Sequence, residues 1–115
     1  MVNAPAPLSA LNPDRLHARI VVLGETWAEL DGAASLLEET RKTLLAKLMR
    51  DSLMKGQGER ETAALAHPDY RDHVGKMVAA RTAATKARIA YDAARTWIDI
   101  CRSLESTRRA EMTLR

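Results

Sequence analysis

Three histidines, one cysteine and a periodic row of arginines are the side chains here whose chemistry goes beyond packing. His73 follows Asp69 by four residues, which on a helix sets imidazole and carboxylate on one face, and His67 is close in sequence. A metal centre needs three or four converging donors. His17 belongs to the other end of the chain, and no cysteine or further carboxylate cluster completes a ligand set. Asp69 therefore reads as a first-turn residue that complements a helix dipole, and His73 as a partly exposed flank. Cys101 would need an exposed, electropositive setting to act as a nucleophile, yet it falls within an apolar repeat, where a thiol behaves as a small hydrophobe. No G-x-S-x-G, Walker, G-x-G-x-x-G or H-E-x-x-H pattern occurs in the chain. The expectation is a protein without catalytic residues, cofactor or metal.

The arginines are more regular. Arg81, Arg88, Arg95, Arg102 and Arg109 stand seven residues apart. Every seventh residue returns to one line on a supercoiled helix, so the interval predicts a long helix in a coiled-coil setting. Such a line could hold phosphates. However, Asp92, Asp99 and Glu105 alternate with Arg88, Arg95, Arg102 and Arg109 at spacings of three or four, so the row is expected to neutralise itself along the helix. Arg81 has no acid within one turn, and Arg41 occupies an otherwise apolar seam position on an earlier helix. With Lys42, Lys47, Lys76 and Lys86 they form one candidate basic patch; Arg108, Arg109 and Arg115 form a second at the C-terminus. Either could contact nucleic acid non-specifically through counterion release, or meet an acidic protein partner. Tyr91 and Trp97 could stack on exposed bases, but both belong to apolar stripes and read as core or interface.

The elements that must carry these groups are helices. Alanine, leucine, arginine and glutamate dominate, phenylalanine is absent, and the only β-branched run, Ile20-Val21-Val22 before Leu23, lies inside a helical period. Residues 1–11 read as a flexible arm because Pro5 and Pro7 bar a helix. Asn12 is placed to cap a helix with Pro13 at its first position, and Leu11 and Leu16 are placed as a hydrophobic staple. A 4-3 alternation then runs through Leu16, Ile20, Leu23, Trp27, Leu30, Ala34, Leu37, Arg41, Leu44 and Leu48. It predicts one helix over 13–55, ended at Gly56-Gln57-Gly58 by residues free to take positive φ. A short helix over 59–66 and a second long one over 68–112 follow, the latter with a seam of Met77, Ala80, Ala84, Ala87, Tyr91, Ala94, Ile98 and Cys101.

Two long helices joined by a short connector predict an all-α antiparallel hairpin forming a single domain over 12–115. If the connector ends lie level, opposed positions sum to about 123, which sets Arg41 near Arg81. Ile89, Ala93, Trp97, Ile100 and Leu104 form a second stripe, on a face of the last helix that a hairpin cannot cover. An uncovered apolar stripe of this length is expected to be an oligomer interface, with a homodimeric four-helix core as its simplest product.

Over 115 residues the net charge is +3, unevenly distributed: residues 13–55 balance, while residues 69–115 carry ten basic against six acidic side chains. A lone cysteine allows no internal disulfide and suits a reducing compartment. The first eight residues lack the pattern of a secretion signal, and no stretch approaches the ~20 apolar residues of a membrane span. The expected location is the cytoplasm, with no membrane contact.

The C-terminal part, with Tyr91-Asp92-Ala93-Ala94, Trp97, Arg102-Ser103 and Arg108-Arg109-Ala110-Glu111-Met112, resembles the tails of small helical proteins of phages and prophages. Those proteins often lie near recombination or replication genes. The resemblance covers less than half of the chain and implies a setting, not an activity or a set of functional residues. Together these readings predict a non-enzymatic accessory protein of phage DNA recombination or replication, acting by weak nucleic-acid or partner contacts. The alternative is a coiled-coil adaptor with no affinity for nucleic acid.

Overall fold

The structure is a computed structural model and describes residues 13–114. The N-terminal arm, the Asn12 cap, the Leu11 half of the staple and Arg115 lie outside the described residues. The protein is an all-α helical hairpin with a connector helix: α1 (Pro13–Arg50), α2 (Gln57–Leu65) and α3 (Pro68–Thr113). No helix among the described residues is long and apolar enough to cross a membrane.

Asp14 sits in the first turn of α1, and Lys47 and Arg50 in its last, each matching the sign of charge that the helix dipole favours. α1 stops at Arg50, five residues before the expected end. Asp51 and Ser52 are the reason, since short polar side chains compete with the helical backbone pattern. The Asp51 amide still donates to Lys47 O at 3.0 Å, but Ser52 Oγ then accepts from the Met54 amide at 3.2 Å and turns the chain away. Arg60 pins the loop by donating from Nε to Met54 O at 2.6 Å. Neither connector glycine takes positive φ: Gly56 is the extended N-cap of α2 (φ −84°, ψ 145°), and Gly58 lies inside that helix. At the start of α3 Pro68 fills the first position, and His67 Nδ1 accepts from the Asp69 amide at 3.0 Å. The imidazole thus serves as a helix cap.

The described residues fall into two compact units, residues 27–86 and the segments 13–26 with 87–114. In the first, α1 and α3 run antiparallel, because contacts that climb α1 descend α3. Asp31 meets Arg81, the Leu37 carbonyl meets His73, and Arg41 meets Tyr70. These pairs sum to between 110 and 112, not 123. The register thus differs by roughly 12 residues, or about 18 Å, from the expected one. Part of the difference comes from α1 ending early, at Arg50; the rest comes from the connector, because α1 overshoots the start of α3 by about two turns, and α2 lies in the connector between them and buries Ala64. Ala34 and Ala84 are fully buried in this unit, and Tyr70 extends the α3 seam upstream of Met77.

In the second unit, Tyr91, Ala94, Ile98 and Cys101 of α3 and Leu16, Ile20 and Leu23 of α1 are buried or half-buried. The Tyr91 ring lies beside Gly24, where a Cβ would stand 3.4 Å from Cε2. Every seam position read from the two 4-3 alternations is at least partly covered.

Candidate interaction surface

Arg81 lies in the midst of a polar cluster. Its Nη1 donates to Asp31 Oδ1 at 2.6 Å, its Nη2 to Glu38 Oε1 at 2.6 Å and Ser35 Oγ at 3.3 Å, and its Nε to Glu38 Oε2 at 3.1 Å. The fork on Glu38 is bidentate, the geometry that suits guanidinium best. The hydrogen bond from Arg81 holds the Glu38 carboxyl below its ordinary pKa, and the same bond, with that to Asp31, raises Arg81 further above its own. The expectation of an unpaired Arg81 open to phosphates is thus corrected, because its acids come from the opposing helix. A signal for this existed in the sequence. Asp31, Ser35 and Glu38 each follow a seam residue of α1 by one position, as Arg81 follows Ala80 on α3, and equivalent flanks face each other in an antiparallel pair.

Arg41 is also drawn inward. It donates from Nη1 to Tyr70 Oη at 3.3 Å, which gives the seam guanidinium a partner on the opposing helix. His73 Nε2 donates to Leu37 O at 2.7 Å across the same interface, so this imidazole bridges the two helices. Tyr70 has no part in the sequence expectations; the α3 alternation continued upstream through His73 reaches it. With His67 capping α3 and His73 bridging, no group of three or more histidine, cysteine or acidic side chains suited to a metal occurs among the described residues. Cys101 is buried.

The remaining basic candidates are dispersed. Lys76 pairs with Asp72 at 3.1 Å, one turn back on α3. Lys42, Lys47, Lys86, Arg108 and Arg109 are exposed, and Arg115 is outside the described residues. The alternating ladder from Arg88 to Arg109 does not close: among the described residues none of its acids comes within 4.0 Å of an arginine nitrogen. Arg95 instead stacks over the Tyr91 ring at 5.7 Å from the centroid. Exposed ion pairs gain little over the side-chain freedom they cost, so a ring face one turn away competes successfully.

The second stripe stays uncovered. Ile89, Ile100 and Leu104 are 58%, 46% and 64% exposed, Ala93 is exposed and Trp97 half-buried. Thr96, Asp99, Ile100, Ser103, Leu104 and Thr107 line a shallow open depression there. Between Ile89 and Leu104 this face bears no charge, while Asp92 and Asp99 bound one side of it. Comparison with models of known families, with curated proteins and with solved structures finds no match in any of the three.

Proposed function

We propose that this is a non-enzymatic accessory protein that works by binding another helix, with the uncharged face of α3 as its binding surface. The observation that carries the reading is the exposure of Ile89, Ile100 and Leu104 along a single helix face. Water-facing isoleucine and leucine in a row cost hydrophobic free energy that a partner recovers, and helix-in-groove or helix-on-helix recognition uses this spacing. Such a module is an adaptor or assembly element, and the resemblance to phage and prophage proteins suggests recombination or replication in the cytoplasm as its setting.

A second reading, weak contact with nucleic acid, rests on exposed Lys42, Lys47, Lys86, Arg108 and Arg109. The cross-helix engagement of Arg81 and Arg41 weakens it, because those two supplied the unpaired charge at its centre. One experiment separates the readings: titration with single- and double-stranded DNA at low and moderate salt. Absence of binding at low salt supports the adaptor. Binding that falls steeply with salt, and falls again in Lys42→Ala/Lys47→Ala or Arg108→Ala/Arg109→Ala, would replace it with the nucleic-acid reading.

A further inference from the structure

The α3 face is bounded at its ends by opposite charges. Lys86 stands one turn before Ile89, and Glu111 two turns after Leu104. By the helical repeat of α3 both fall within about a sixth of a turn of the line through Ile100. The stripe is therefore uncharged in the middle, with Lys86 on its line at the N-terminal end and Glu111 on its line, flanked by Arg108, at the C-terminal end.

We propose that this face takes a second copy of the chain, with the two α3 helices antiparallel and the twofold axis between Trp97 and Ile100. The inference rests on the reading of the face as a binding surface and names its occupant. Antiparallel apposition about that axis sets Lys86 against Glu111 of the second copy, and Glu111 against its Lys86. Both ends are then attractive, whereas parallel apposition sets lysine on lysine and glutamate on glutamate. The same register sets Trp97 against Ile100 at the centre, Ala93 against Leu104 beyond it, and Ile89 against Arg108, whose aliphatic stem can lie over the isoleucine while its guanidinium reaches water. Such an interface is isologous: each pair occurs twice, and it closes without an open edge.

The test is light scattering and sedimentation equilibrium on the full chain, with charge reversals at the stripe ends. The wild type is expected to show twice the chain mass of 12.7 kDa. Lys86→Glu and Glu111→Lys should each weaken association by roughly tenfold, since each turns two exposed attractive pairs into repulsive ones. The double variant should recover most of that loss. Leu104→Cys with Cys101→Ala should not cross-link to itself, because the two Leu104 positions lie about 16 Å apart along an antiparallel pair. A wild type that stays monomeric overturns the proposal, as does a double variant without rescue or a ready Leu104→Cys cross-link. If the wild type is monomeric and Ile100→Glu melts like it, the binding-face reading survives with another occupant. If Ile100→Glu melts far below it, that reading fails as well.

Discussion

Ile98 and Ile100 lie two residues apart on α3 and should respond oppositely to the same change. Ile98 is 7% exposed and Ile100 46% exposed. Ile98→Ala removes three carbons from a packed seam, a loss of roughly 2–4 kcal/mol including the cavity left behind. Alanine's better helix propensity returns about 0.4 kcal/mol. For a 115-residue chain each kcal/mol moves the midpoint by about 4 °C, so the expected drop is about 10 °C. Ile100→Ala uncovers about half as much packed surface, and the propensity gain offsets a large part of it; a drop of about 2 °C is expected in dilute solution. Far-UV circular dichroism melts at low and high protein concentration provide the assay. The Ile98→Ala deficit should be the same at both. The Ile100→Ala deficit should widen on concentration, because self-association stabilises only chains that keep the face. Equal losses for the two variants in dilute solution would refute the assignment of two faces, and with it the surface on which the proposed function rests.

Helix glycines offer a complementary check on packing. Gly32 and Gly75 face open space, so Gly32→Ala and Gly75→Ala should each stabilise the fold by about 1 kcal/mol in urea unfolding. Gly24→Ala should gain less, since its methyl would stand 3.4 Å from Tyr91 Cε2; a larger gain than Gly32→Ala would contradict the contact. The Arg81 cluster sets an acid dependence. Hydrogen bonding from Arg81 lowers the Glu38 pKa from its ordinary 4.5, so its stabilisation is present above that pH and disappears as pH falls through the folded value. Arg81→Gln should accordingly lower the melting temperature at neutral pH and flatten its decline in acid. Parallel melting curves for the two proteins across that range would argue against the cluster.

Fold class and seam were legible in the sequence because helical periodicity is a local property. The alternation from Leu16 to Leu48 and that from Met77 to Cys101 state which residues turn inward, and all of them are covered in the structure. The uncovered stripe was legible for the same reason, since it lies on one helix. The register was not. A heptad pattern maps onto itself when slipped by a heptad, so leucines meet alanines equally well in several alignments, and only contacts outside the seam choose between them. The choice followed from Asp51 and Ser52 ending α1 early and from α2 lying in the connector, which together moved the register by about 18 Å from the expected one. That shift set Arg81 against Asp31, Ser35 and Glu38, and Arg41 against Tyr70. Sequence by itself thus determined the helices and their apolar faces. Tertiary structure alone decided which charges are engaged within the hairpin, because pairing across space depends on a register that the repeating pattern leaves degenerate.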